Sequence, residues 1–409
     1  MSISLNIAQR VFFFVLLLCG KQIEGAISSK NPGVYTSVSD GYKATTACPS
    51  AVVLPTTSNP FGTRTLVVDS DYAVGVKKAA DRIVDANLKQ KASKVADIGT
   101  FVWLDSISTV SDLQKHLNEV TCDQILGIVL NMLPGKNCAS ERRRHPEELT
   151  LQEYNIKYVD QIVKIVKANP NVAVAVILEP ETLPNIVNNS SVPACAKAKT
   201  AYENGIPYAL HQLNLPNVVQ YLDAGSGMLL GWTDHLVPTA SFLSSILNLG
   251  GKPQNLRGIA TNVASYEAWN KSPGEWTPAD DLVYPNKALN EKLYVQILGK
   301  ELQKVGFPAH GIVDTSRSGV QGLRSSWLDY CNVNGAGFGF RPTANTGDEM
   351  VDAFVWVKHG GMSDGTSDRN SPNYDTLCGL SDASQPSPEA GSWSQEYFEM
   401  LVINAVPTL

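Results

Sequence analysis

The sequence has little histidine and little concentrated positive charge. Its 409 residues hold six histidines, none at a metal-ligand spacing, and there is no HExxH helix. No glycine-rich phosphate loop opens a helix. With 33 Lys and Arg against 39 Asp and Glu, the net charge is −6. The longest basic block is Arg142-Arg143-Arg144, so a nucleic-acid partner is not expected. After the first two dozen residues no apolar run is long enough to span a bilayer, which excludes a membrane-spanning mature chain from the expectations. Nothing in this inventory calls for a cofactor or a metal.

The N-terminus carries the main apolar run. Arg10 precedes VFFFVLLLCG, and small residues follow at Gly25 and Ala26. That pattern predicts a secretory signal peptide over residues 1–25 and a secreted, extracellular protein. Residues 26–60, rich in Ser, Thr, Pro and Gly, read as an N-terminal arm. Of seven cysteines, Cys19 lies in the signal. Cys48, Cys122, Cys138, Cys195, Cys331 and Cys378 remain. An even count in a secreted chain implies disulfides, and spacing alone leaves about fifteen pairings open. Sequons at Asn188, Asn189 and Asn270 fit glycosylation on that route.

From residue 61 to 409 apolar strand patterns alternate with amphipathic helix patterns. Strands are predicted at 100–104, 125–133, 172–178, 218–224, 256–263, 310–316 and 352–358. Helices are predicted at 150–168, 195–213 and 290–305, among others. Alternation means a parallel sheet. About seven units with no second composition class favour a single-domain α/β barrel. In barrels the working side chains lie at the carboxyl ends of strands. That gathers 131–138, Glu179, Glu181, Asp223, Asn262, Asp314 and 358–364 around one mouth. The loop-rich segment after Ser363 is expected to roof it. Carboxylates, a lysine, asparagines and aromatics around a cleft suit glycoside hydrolysis, in which one carboxylic acid protonates the leaving oxygen and a carboxylate activates water. Carboxylates at strand ends also serve as loop anchors and helix caps.

The segments LNMLPGKNCA, ILEPETLPNIV, LNLPNVVQYLDAG, LRGIATNVASY, GFGFRPTANTGDEMVDAFVWVKHGG and DASQPSPEAGSWSQEYF resemble glycoside hydrolase family 6, which comprises cellobiohydrolases and endoglucanases. The likeness runs from about Asn59 to the C-terminus, in the family's order. It implies a distorted, roughly seven-stranded parallel β/α barrel and metal-free hydrolysis with inversion. It implies disulfides Cys138–Cys195 and Cys331–Cys378, leaving Cys48 and Cys122 for a third bridge. Glu181 falls on the general acid, an Asp in the family, one methylene longer here. Glu179 falls on a supporting carboxylate. Asp364 falls on the proposed base. Lys358, Trp232, Tyr330, Asn262 and Asp223 fall on substrate-contacting or framework positions.

The departures cluster. Asn137 replaces an Asp whose charge helps keep the acid protonated. Asn131 and Lys136 replace Tyr and Arg in the same loop, and a water-ordering Ser loop is replaced around Glu141 to Arg144. Met362 replaces a Glu beside the base. Leu229 and Val67 replace sugar-stacking tryptophans, and Ser226 replaces a His. Glycines, cysteines and strand cores are kept. The expectation is a secreted, monomeric, inverting hydrolase of β-1,4-glucosidic bonds in cellulose, related β-glucan or cello-oligosaccharides, with impaired or altered activity. The second reading is a catalytically silent relative that binds β-glucan or a protein in a structural, signalling or wall-organising role. A third is an enzyme for a different glycan.

Overall fold

The computed structural model describes residues 48–139, 147–271 and 285–409. The signal peptide, the arm up to residue 47 and the Glu141–Arg144 replacement lie outside the described residues. Eight strands follow in chain order: β1 (Thr65–Leu66), β2 (Val102–Leu104), β3 (Gln124–Leu130), β4 (Val174–Leu178), β5 (Val218–Asp223), β6 (Leu256–Thr261), β7 (His310–Asp314) and β8 (Val351–Val355). All pairings are parallel. β2 to β8 neighbour one another in order, and the short β1 adds to the start of β3. Between β8 and β2 there is no ladder. Instead Phe101 N donates to Trp356 O at 2.9 Å, and Trp103 Nε1 donates to Val357 O at 2.8 Å. The result is a nearly closed seven-stranded β/α barrel, as the alternation implied.

Strand side chains alternate between two apolar environments. Ile125, Val129, Ala175, Ile177, Val219, Tyr221 and Ala353 belong to one cluster, the barrel interior. Leu126, Ile128, Leu130, Val174, Val176 and Leu178 belong to another, where the strands meet the helices. Both faces are covered, so β3 and β4 read as unbroken apolar runs rather than alternating ones. Three strands are tied by a buried ion pair: the Arg257 guanidinium grips Asp352 through two 2.9 Å bonds, and Tyr221 OH donates to the same carboxylate. Gly258 permits the tightest approach of β6 to β7, since a Cβ there would meet His310 O at 1.7 Å.

Three predicted helices form within two residues of their expected bounds: 151–168, Pro193–Gln212 and Glu291–Lys304. Thr150 caps the first with a capping box and Asn290 caps the third. The first differs from expectation in one respect: Tyr154–Val159 is a π turn. That turn adds a residue to the ladder and lets Tyr158 reach inward. Its hydroxyl donates to Leu104 O and accepts from Asn131 N.

Cysteine pairs Cys48–Cys122, Cys138–Cys195 and Cys331–Cys378 are all joined. Among the described residues no helix is long and apolar enough to cross a membrane. The sequons divide. Asn270 is exposed. Asn189 is half-buried at the end of the helix Thr182–Asn188. Asn188 does not suit the expected glycan: its amide nitrogen donates to Leu229 O at 3.1 Å and its oxygen is buried.

Candidate active site

At the exit of β4 the chain turns sharply twice. Glu179 (φ 51°) and Glu181 (φ 67°) both adopt the left-handed region, which L side chains enter only at a cost of about 1–3 kcal/mol each. Two such residues around Pro180 concentrate strain at one loop, a feature of functional sites. The turns send the two carboxylates opposite ways. Glu179 is fully buried; its Oε1 accepts from Met132 N at 3.0 Å and its Oε2 from Leu133 N at 2.9 Å. Burial raises its pKa, partly offset by Lys136 and those two amides. It therefore fastens the β3 exit loop to β4. Glu181 is exposed, while its backbone N–H donates to Asp223 Oδ2 at 3.2 Å. The fold thus leaves Glu181 alone of the pair able to meet a ligand.

Asp223, at the end of β5, is 1% exposed, and burial pushes its carboxyl up to about 8. Gly225 N donates to the same oxygen that holds Glu181. Gly225 itself has φ 63°, and a Cβ there would sit 2.6 Å from Pro184 Cγ. Asn262 (φ 59°) is fully buried; its amide donates to Glu267 O and Asp314 O and accepts from Glu267 N. Every polar atom of Asn262 is engaged with backbone, so it ties the ends of β6 and β7 together at the mouth. Asp223 likewise engages backbone, at Glu181 and Gly225.

The β3 exit loop is fixed at both ends: by Glu179, and by Cys138–Cys195, which ties it to the helix Pro193–Gln212. Lys136 is 8% exposed, and its ammonium donates to Asn131 Oδ1. These two replaced positions therefore satisfy each other. Asn137 is half-buried next to the disulfide and brings no charge.

At the exit of β8 lies Asp364. Lys358 Nζ meets its Oδ1 at 2.9 Å and Arg317 Nη1 its Oδ2 at 2.6 Å. Asn332 N and Tyr266 OH also donate to Oδ2. Despite burial, the two cations hold this carboxyl well below the usual range. Asp364 is a fixed negative charge with low proton affinity. The Lys358 ammonium is committed to it. Asp314 ties this region together, accepting from Ala264 N, Ser316 N, Val357 N and Lys358 N. From Glu181 to Asp364 the contacts run unbroken across the strand ends of β4 to β8: Asp223, Gly225, Asn262, Asp314, Ala264 and Arg317.

Among aromatics, Trp232 is half-buried with its indole N–H on Met228 O. It meets the half-buried Trp327 edge-on at 6.3 Å, a partner the sequence reading passed over. Trp103 was also passed over; it is half-exposed at the barrel's interior cluster, beside Val357. An unbroken strand pattern hides such a residue, and only its place in β2 marks it out. Tyr330 is half-buried and its hydroxyl donates to Asp375. Val67 is packed in the core at 4% exposure, and so offers no platform. Two further features escaped notice. Arg324 and Glu267 form a buried ion pair at 3.3 Å next to Ser226 and Met228. The run Gly361-Met362-Ser363-Asp364-Gly365 has nucleophile-elbow spacing, but Ser363 is 1% exposed and its hydroxyl is spent on Gly365 O and Pro388 O.

The profile of the family described as "Glycosyl hydrolases family 6" matches residues 61–405. The chain is 48% identical over 389 residues to the 1,4-beta-D-glucan cellobiohydrolase CEL6C of Podospora anserina, covering 95% of this chain and 97% of that protein. It is 45% identical to Exoglucanase 3 of Agaricus bisporus, covering 86% and 80%. Among solved structures it superposes on cellobiohydrolase II of Humicola insolens in complex with glucose and cellotetraose, with a TM-score of 0.80, 39% identity and coverage of 86% of this chain and 100% of that one. The barrel agrees with these likenesses, and the chain belongs to glycosyl hydrolase family 6.

Proposed function

We propose that the protein is an extracellular, inverting hydrolase of β-1,4-glucosidic bonds, acting on cellulose or cello-oligosaccharides at a reduced rate. The observation that carries this is Glu181: an exposed carboxyl on a strained left-handed residue, its backbone held by Asp223 at the barrel mouth. Glu181 protonates the leaving glycosidic oxygen. Water attacks the opposite face of the ring, and its proton leaves toward the Asp364 side. Asp364 supplies negative charge facing the cationic transition state. Its two basic partners make it a weak proton acceptor, which slows the water half of the reaction. Asn137 brings no negative charge to the leaving-group side, which slows the acid half. Trp232, Trp327, Trp103 and Tyr330 offer flat faces for pyranose rings. Three disulfides support an oxidising, extracellular setting.

The test is sugar release from amorphous cellulose and cellotetraose, with the anomer followed by NMR. Slow formation of the α-anomer, lost in Glu181→Gln, is expected. A second reading, a glucan-binding relative without turnover, draws on the same two weaknesses at Asn137 and Asp364. It gains if the native protein binds cellotetraose, and neither it nor Glu181→Gln releases sugar.

A further inference from the structure

Two buried carboxyls beyond the ends of β5 and β6 are not used by the hydrolysis proposed above. Glu267 is 2% exposed and Glu291 is fully buried. They hold neighbouring residues: Ser226 Oγ donates to Glu267 Oε1 and Gly227 N to Glu291 Oε2, each at 3.1 Å. Burial and the Glu267 charge push the Glu291 carboxyl well up. Burial opposes ionising Glu267 too, but Arg324 beside it holds that carboxyl below its ordinary value. Glu267 is therefore the ionised member, and Arg324 is its counter-ion at 3.3 Å, buried with it. Taking two charges out of water offsets most of their attraction, so such a pair adds little stability. What it fixes is geometry. The same Arg324 nitrogen, Nη2, donates to Met228 Sδ at 2.8 Å, and the guanidinium carbon lies 5.5 Å from the Tyr266 ring centroid. Three loops thus meet on one guanidinium: 226–232 after β5, Tyr266 and Glu267 after β6, and 324–327 between β7 and β8. The first and third each carry an indole. Met228 O accepts from Trp232 Nε1, and Trp327 follows Arg324 in its loop. The two indoles are half-buried and meet at 65°, their centroids 6.3 Å apart.

We propose that Arg324 and Glu267 are positioning residues for glucan binding: through Met228 and the 324–327 loop they set the angle between Trp232 and Trp327, so that the two indoles act as one recognition surface for a pyranose ring. This rests on the glucan reading given above. A β-linked glucose ring carries its hydroxyls at the rim and presents C–H groups on its faces, which suits stacking on an indole. Two indoles at a fixed angle select the orientation of that ring, which one indole alone does not. An exposed ion pair between the loops would be weakened by solvent and salt and would let the angle vary. The desolvated pair is screened far less and holds it. Arg324 and Glu267 lie on different loops, so the sequence gives no sign that they meet.

The experiment compares the full chain with three variants. The double variant Arg324→Gln, Glu267→Gln leaves no orphaned charge. Met228→Leu keeps the ion pair and removes the sulfur contact at nearly constant volume. Trp327→Phe marks the indole pair. Far-ultraviolet circular dichroism reads the exciton coupling of the indoles, calorimetry reads cellohexaose binding, and hydrolysis of cellohexaose gives KM and kcat separately. The exciton signal is expected to vanish in Trp327→Phe and to weaken in the double variant and in Met228→Leu. In the double variant cellohexaose affinity should fall about tenfold, with KM rising by about that factor and kcat within about twofold, the signature of lost binding rather than lost chemistry. Should the double variant not fold, Met228→Leu carries the comparison. A merely structural pair would lower the melting midpoint while the exciton signal and affinity of the folded protein stay as they were, and that result overturns the proposal. So does an unchanged signal and affinity in both the double variant and Met228→Leu. A native protein that binds no cellohexaose overturns the glucan reading and this use of the indoles with it; the exciton signal then still decides whether Arg324 and Glu267 set their angle.

Discussion

Glu179 and Glu181 are two residues apart, share a side-chain chemistry and do different things because of where their backbones point them. Replacing the buried one, Glu179→Ala, strands two amide donors of the β3 exit loop and removes a charge-assisted pair. A loss of about 3 kcal/mol or more in urea unfolding is expected. The exposed one should behave oppositely: Glu181→Gln should leave stability within about 0.5 kcal/mol and remove turnover. Asp364→Asn leaves Arg317 and Lys358 as buried charges without their anion, at an expected cost of about 3–5 kcal/mol. Asp223 sets a pH dependence. Its folded pKa of about 8 lies above its ordinary value of 3.8, so the folded state binds the proton more tightly. Its stabilising contribution is full below about pH 4 and is lost as pH rises toward 8. Asp364 runs the other way, contributing at neutral pH and losing its contribution only as pH falls below the ordinary carboxylate range. Asp223→Asn should flatten the stability profile between pH 5 and 8, measured by denaturant midpoints, and leave the acid limb unchanged.

Elements were legible where their physics is local. The seven barrel strands are runs of β-branched and apolar residues, and their bounds moved by at most a few residues. Caps at Thr150 and Asn290 announce their helices. What escaped depends on contacts distant in sequence. β1 is two residues long, too short for periodicity. The π turn at Tyr154–Val159 leaves hydrophobic spacing unchanged, yet it brings Tyr158 under Asn131. Left-handed backbone at two glutamates has no signature in residue type, unlike that of Gly225. The commitments of Asn262 and Asp364 rest on partners from other strands. At this scale the Cys138–Cys195 bridge holds the loop that carries Asn137. Closing 57 residues, it should contribute about 4 kcal/mol on the chain-entropy model. A Cys138→Ser, Cys195→Ser double variant should lose about that much and, where it stays folded, lose turnover further.

For the whole molecule, the barrel is complete while its mouth is unevenly equipped. The core clusters, the Arg257–Asp352 tie and three disulfides make a rigid frame. On that frame Glu181 is exposed at the exit of β4, Asp364 is held by Arg317 and Lys358, and residue 137 is an amide. The proposed reduced rate rests on this arrangement. Initial rates of cellotetraose hydrolysis compared across native protein, Glu181→Gln and Asn137→Asp test this most directly. A low native rate, abolished in the first variant and raised about tenfold or more in the second, is the predicted result. A native rate that survives Glu181→Gln, or one that Asn137→Asp leaves unchanged, would contradict the account.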